Sequence, residues 1–207
     1  MTGGEAAGGV AGEALSMIFA TPLVIRDWPE SHALNKALLA LIGEARAASL
    51  SVGKSNVGGW HSEGDFIRGE APALGELRER IRAVSIELTQ RFMVPGSYGF
   101  VLDGWANVLG PGNYNGPHNH PNATWSGVYY LTGVPGLPTA LGGKLEFFDP
   151  RPAAGMLYAA DNMLQRRCLF SPRAGCLLMF PSWLMHMVHP HSGDGERISV
   201  AFNVVVN

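Results

Sequence analysis

The feature that most restricts the fold of this chain lies in its second half. From Tyr98 onward, short runs rich in β-branched and aromatic residues (FVLDGWANVL, WSGVYYL, GKLEFF, CLLMF, ISVAFNVVV) alternate with clusters of Gly, Pro and Asn such as GPGNYNGP, GVPGLP, DPRPAAG and SPRAG. Such clusters cut a chain into successive strands, the signature of a sandwich or barrel. The first half reads differently. MIFATPLVI, Met17 to Ile25, predicts a strand. Asp27 and Glu30 have the spacing of a capping box, and Leu34, Leu38, Leu41, Ile42 and Ala45 then recur at helical intervals for about five turns. Ser51 to Gly69 is glycine-rich and predicts a loop with short extended pieces. Pro72 suits a first helical turn, and Leu74, Leu77, Ile81, Val84, Leu88 and Phe92 stripe one face of a second helix ending before Pro95-Gly96. Two helices followed by a run of strands predicts an α+β domain whose helices brace one face of a curled sheet.

Residues 1–13 read as a flexible N-terminus, small, Gly-rich and acidic. They lack the positive region and long apolar stretch of a secretory signal, so a cytoplasmic protein is expected. Residues 14–207 are expected to form one domain with a strand core over about 98–207. A chain of 207 residues buries enough surface to fold without a disulfide or structural metal. Its formal charge of −2 supplies no drive towards nucleic acid or anionic membranes. The 46% hydrophobic content argues against disorder. No run of about 18 apolar residues offers a membrane span. Cys168 and Cys176 are too far apart for a CxxC zinc site and read as two packed thiols. The pattern specifies no oligomeric state.

Chemistry concentrates among the strands. His118 and His120, in GPHNHPN, stand two residues apart, and residues i and i+2 of an extended segment share a face. Both imidazoles could therefore aim at one point and chelate iron, zinc or copper. The alternative is a turn in which the two rings merely flank Asn119. Further on, His186 follows an apolar run, and ten residues separate it from Arg197. The period-two rule puts Arg197, Ser199 and Ala201 on one face of the last strand and Ile198, Val200 and Phe202 on the other. A guanidinium in such company is costly to bury unless it meets an anion. A ligand carboxylate is one such anion; an Asp or Glu of the protein itself is the other. His61 in VGGWHSEGDF reads as an exposed loop histidine or part of a lid. His189 and His191 read as a solvated turn. Trp105, Trp125 and Trp183 are pocket or, for most, core candidates. Gly142-Gly143 reads as a tight turn into a strand.

HNH at the start of the sheet, YYL, GGKLEFF, GCLLMFP before His186, and RIS after it together resemble the iron(II)- and 2-oxoglutarate-dependent oxygenases, nearest the prolyl-hydroxylase-like branch. The resemblance covers roughly Gly104 to Val205. It implies a double-stranded β-helix, a cupin-like jelly roll whose mouth holds the metal, braced here by two N-terminal helices. It implies His118 and His186 as metal ligands, and Arg197 with Ser199 as the grip on the distal carboxylate of 2-oxoglutarate. Tyr130, the second tyrosine of YYL, matches a phenol bonded to the same carboxylate; otherwise it is a buried aromatic satisfied by backbone. Asn107 could line the pocket and touch the cosubstrate, or be an ordinary strand residue. The implied cofactors are Fe(II) and 2-oxoglutarate. The implied reaction hydroxylates a substrate, small molecule or peptide, with release of succinate and carbon dioxide.

One position departs from the family. Most members show HxD or HxE, so that a carboxylate joins two imidazoles. Here His120 stands in place of the acid, and it is the expected third ligand because the i, i+2 geometry already places it. The other option is a carboxylate from elsewhere, Asp149 or Asp103. Two other readings of function accompany the oxygenase. One is a cupin-like three-histidine metalloenzyme that does not use 2-oxoglutarate, although cupins usually add a glutamate shortly after HxH and PNATWSG has none. The other is a non-catalytic jelly-roll binding module.

Overall fold

Apolar side chains alternate along the strand runs, so each central strand serves two cores, and this alternation decides how the layers stack. The computed structural model describes residues 19–133, 140–152 and 167–207. Among them one sheet of six strands runs in the order β1 (Val24–Asp27), β9 (Cys176–Pro181), β6 (Trp125–Tyr130), β11 (Arg197–Val206), β4 (Phe100–Leu109) and β3 (Trp60–His61). A second, of five strands, runs β2 (Asn56–Val57), β5 (Tyr114–His118), β10 (His186–Val188), β7 (Leu145–Phe148) and β8 (Arg167–Phe170). The neighbouring strands pair antiparallel throughout.

The helices α1 (His32–Ala48) and α2 (Pro72–Phe92) cover the outer face of the larger sheet. Their stripes, Leu34, Leu38 and Ile42 with Leu74, Leu77, Ile81 and Leu88, pack against Tyr129, Leu177, Met179, Val200, Phe202 and Val204. The other face of the same strands packs against the smaller sheet. Val128, Tyr130, Leu178 and Phe180 meet Leu145, Phe147, Phe170 and Val188 there. Phe147 and Phe180 cross edge to face with centroids 4.8 Å apart, the arrangement aromatic quadrupoles favour. The result is an α+β double-stranded β-helix braced by two helices. At Gly127 a Cβ would collide with the Phe202 ring and the Leu178 carbonyl oxygen, so the strand passes there only without a side chain.

Several local expectations are corrected. Among the described residues the first strand covers Val24–Asp27, set by its pairing with β9, so the strand expected over Met17–Ile25 is met only at Val24 and Ile25, and Met17 and Ile18 lie outside the described residues. Asp27 caps no helix; its carboxylate binds Arg173 at 2.9 Å, and α1 starts after Ser31. Arg173 holds the Asp27 carboxyl below its usual range. Cys176 is buried, but Cys168 is exposed. The N-terminal lead-in lies outside the described residues. No helix among the described residues is long and apolar enough to cross a membrane.

Phe202 is fully buried where the helices meet the larger sheet. Phe202→Ala should therefore cost about 3–5 kcal/mol of folding stability, read as a lower urea midpoint.

Candidate metal centre

His118 ends β5 and His186 begins β10, and in the antiparallel register they stand directly opposite one another. Directly opposed residues share a face and lie close, so the ladder itself brings the two imidazoles together, with ring centroids 4.3 Å apart. His120 comes from the turn after β5. Its backbone N–H donates to Ser182 O at 2.9 Å, tying that turn to the segment that leads into His186. Its ring lies 5.0 Å from that of His118 and 5.1 Å from that of His186. One ligand atom from each of the three falls within 4.8 Å of the others.

Backbone carbonyls decide which nitrogen of two rings is free. His118 Nδ1–H donates to Gly116 O at 2.7 Å and His186 Nδ1–H to Leu184 O at 2.8 Å. A carbonyl can only accept, so in both rings Nε2 keeps its lone pair, the state a metal requires. Burial disfavours the imidazolium at all three, and their mutual repulsion adds to it at His120 and His186. His120 is brought down to about 4 and His186 to about 3. The cluster is therefore neutral near pH 7.

Across the cavity the larger sheet presents Arg197, Ser199 and Tyr130 on its inner face. Ser199 pairs with Asn107 on β4 and with Tyr130 on β6, which makes a polar row across the floor. Arg197 is 2% exposed. Its Nε donates to Gly143 O at 3.0 Å, its Nη2 lies 3.4 Å from the Tyr130 hydroxyl, and its guanidinium stands 5.1 Å from the centroid of the Tyr130 ring. Gly143, at φ +64°, presents that carbonyl from a conformation suited to glycine. Among the described residues no carboxylate pairs with Arg197. A buried guanidinium held only by neutral oxygens and a π face lacks the anion that would balance its desolvation. Burial pushes the Tyr130 phenol up to about 12, so it stays protonated and can donate. His118, His120, His186, Arg197, Tyr130, Ser199 and Asn107 line one cavity. Asn107 Oδ1 is buried with no partner among the described residues.

The carboxylates considered as alternatives to His120 are engaged elsewhere. Asp149 binds Arg151 at 2.6 Å, and Asp103 binds Arg68. Other positions depart from expectation. His61 is 5% exposed, not on a mobile loop: β3 pairs it with Asn107, and its ring stacks on Trp105 at 5.6 Å. Trp105 in turn lies 5.6 Å from His120. Trp125 is core, with its Nε1–H donating to Thr89 Oγ1 at 3.2 Å, whereas Trp183 is exposed. His189 and His191 form no solvated turn. His189 contacts buried Glu146 at 2.6 Å, and His191 Nε2–H donates to Gly195 O at 2.8 Å. Two cavity residues carried no motif in the sequence, Ser55 and Asn115; only the pairing of β2 with β5 brings them in.

The donor set fits a divalent metal beside a dicarboxylate: three neutral imidazoles, two with oriented lone pairs, share a cavity with a buried cation that has no carboxylate partner among the described residues. The chain is similar to a family model and to several solved structures. Residues 103–203 match the family model described as "Putative 2OG-Fe(II) oxygenase". No curated protein sequence matches the chain. Among solved structures, a prolyl-4-hydroxylase from Pseudomonas putida is similar at TM-score 0.63 and 20% identity, covering 88% of this chain and 91% of its own. A viral collagen prolyl hydroxylase from Paramecium bursaria Chlorella virus-1, solved with 2-oxoglutarate, gives 0.59 and 18%, covering 88% and 94%. HygX from Streptomyces hygroscopicus, solved with nickel and 2-oxoglutarate, gives 0.62 and 12%, covering 89% and 83%. At these identities the likeness establishes the fold.

The depressed histidines set a pH dependence. Unfolded, these imidazoles take up protons near their ordinary value of about 6.5; folded, His120 does so only near 4 and His186 near 3. Between those values the unfolded chain holds more protons, so the metal-free protein should lose stability as the pH falls from about 7 to 5. Thermal melts in chelator should show a steeper loss in the wild type than in a His120→Asn/His186→Asn variant; equal slopes would contradict this account.

Proposed function

We propose, on the premise that residues 103–203 of this chain belong to the 2OG-Fe(II) oxygenase family, that the protein is an iron(II)- and 2-oxoglutarate-dependent dioxygenase that hydroxylates a small-molecule or peptide substrate. The observation that carries this reading is the pairing, in one cavity, of three neutral imidazoles with a buried guanidinium that has no carboxylate partner among the described residues. When bound, Fe(II) and 2-oxoglutarate would supply the oxidising chemistry with dioxygen as the oxidant, one oxygen atom of O2 going into succinate as the oxo acid loses carbon dioxide and the other into a substrate C–H bond.

The rest is the work of the chain. His118, His120 and His186 hold the metal, and the carbonyls of Gly116 and Leu184 fix the rings of His118 and His186 so that Nε2 faces it. Arg197 binds the distal carboxylate of the oxo acid and keeps its charge at every working pH. Tyr130, held protonated by burial, and Ser199, its neighbour across the ladder, donate to the same carboxylate. Asn107 lies beside them with an amide oxygen that has no partner among the described residues. The Phe147 and Phe180 rings pack beside His186 and limit water around the metal ligands. His120 in place of an acid leaves the metal with one negative charge fewer than a two-histidine, one-carboxylate set.

Anaerobic titration with Fe(II) and then 2-oxoglutarate tests the assignment through the visible charge-transfer absorption of the metal-bound oxo acid. The band should form in the wild type and be lost in His186→Ala. Arg197→Leu should raise the Kd for 2-oxoglutarate by about 30-fold or more, since it removes one partner of a buried charge pair. His120→Asp should bind Fe(II) more tightly than the wild type. Folded, iron-loaded protein that gives no band would reject the reading, and an Arg197→Leu variant with unchanged affinity would point to metal chemistry without the oxo acid.

A further inference from the structure

Asn115, Ser55 and His118 form a hydrogen-bonded chain whose direction is set by chemistry. His118 Nδ1–H is committed to Gly116 O, so Nε2 can only accept. The Ser55 hydroxyl, 3.5 Å from that Nε2, is therefore the donor. Asn115 Nδ2 donates to Ser55 Oγ at 3.2 Å and leaves the serine proton to point at the histidine. The arrangement is built rather than incidental. Gly116 N–H donates to Ser55 O at 2.8 Å, and Asn56 pairs with Asn115, so the backbone of the 51–57 segment is fastened to the strand that carries His118. Along β5, Asn115 opposes Val188 and His118 opposes His186, so two intervening residues on β5, Gly116 and Pro117, stand against one on β10, Met187. This bulge, at Gly116-Pro117, puts Asn115 and His118 on one face although their spacing is odd. All three line the cavity, and Asn115 is 6% exposed.

A metal at the histidines takes the lone pair to which Ser55 donates. The hydroxyl then needs another acceptor, and Asn115 still holds its oxygen in place. We propose that the Ser55 hydroxyl, oriented by Asn115, donates a hydrogen bond to an oxygen of the ligand seated beside His118 once the metal is bound. That oxygen belongs either to a water molecule or to the 2-oxo acid carboxylate. Ser55 is thus a ligand-contacting residue from the N-terminal half of the chain, outside the matched residues 103–203, and Asn115 is its positioning residue. This inference rests on the metal reading given above.

The test uses full-length protein and cobalt(II), which is visible spectroscopically and stable to redox change. Two affinities are measured anaerobically: cobalt(II) alone, and 2-oxoglutarate for the cobalt-loaded protein. Loss of such a supporting contact typically weakens binding about 10-fold or more. Ser55→Ala should show a loss of that order, with a shifted visible spectrum, while Ser55→Thr stays close to the wild type. A loss already present with cobalt(II) alone identifies water as the acceptor; one that appears only with 2-oxoglutarate identifies the carboxylate. Asn115→Ala should weaken the same arm, and the double variant should be no worse than Ser55→Ala, because the two residues act through one hydrogen bond. Thermal melts check that each variant is folded. Wild-type protein that binds cobalt(II), with binding lost in His186→Ala but within two-fold of wild type in Ser55→Ala in both arms, overturns this inference alone. Failure of the wild type to bind cobalt(II) or iron(II) overturns the metal reading and this inference with it.

Discussion

The antiparallel register of β5 against β10 is the constraint on which the site depends. It sets His118 directly opposite His186, and because strand side chains alternate with a period of two, a slip of one residue would send one imidazole to the far side of the sheet. β10 is three residues long and lies between β5 and β7, so neighbours on both sides specify its register. The apolar partners help. Val188, Phe147 and Leu145 carry the smaller sheet's side of the inner core, so any slip that parted the histidines would also move apolar side chains out of it.

Desolvation then acts on every titratable group in the cavity, and its effects agree with one another. It keeps the imidazoles neutral and the Tyr130 phenol protonated, and it makes the Arg197 guanidinium costly without an anion. A cavity with neutral donors at one wall and, at the other, a cation with no carboxylate partner among the described residues suits a divalent metal and a dianion together better than either alone. The structural expense of this arrangement is borne by the outer core, where the two helices seal the other face of the same strands. β11 shows the division most plainly: Val200, Phe202 and Val204 face the helices, while Arg197 and Ser199 face the cavity.

The N-terminal half contributes more than bracing. β2 and β3 extend the two sheets at their edges and deliver Ser55 and His61 to positions beside the clustered histidines and the polar floor. Trp105, between His61 and His120, closes the space behind the third imidazole. A three-histidine set carries no charge of its own, and among the described residues its surroundings supply hydroxyl and amide groups rather than a carboxylate; Asp103 and Asp149 are held by arginines at other places in the fold.

The sequence by itself determined what depends on local periodicity. The helical stripes over Leu34–Ile42 and Leu74–Leu88, the strand runs, and the shared face of Arg197 and Ser199 follow from spacings of 3.6 and 2 along a single segment. The HNH pair and its distance from RIS were equally visible, because i, i+2 chelation is a property of one extended stretch. Register, closure and burial belonged to the tertiary structure. Whether His186 meets His118, whether Arg197 finds a protein carboxylate, whether His61 and His191 are buried, and whether His189 finds Glu146 all depend on pairings between residues far apart in the chain. Ser55 and Asn115 show the limit most clearly, since they lie 60 positions apart and meet across a bulged edge that no local pattern encodes. Local spacing chooses the face of a strand; only the packed ladder chooses what that face looks at.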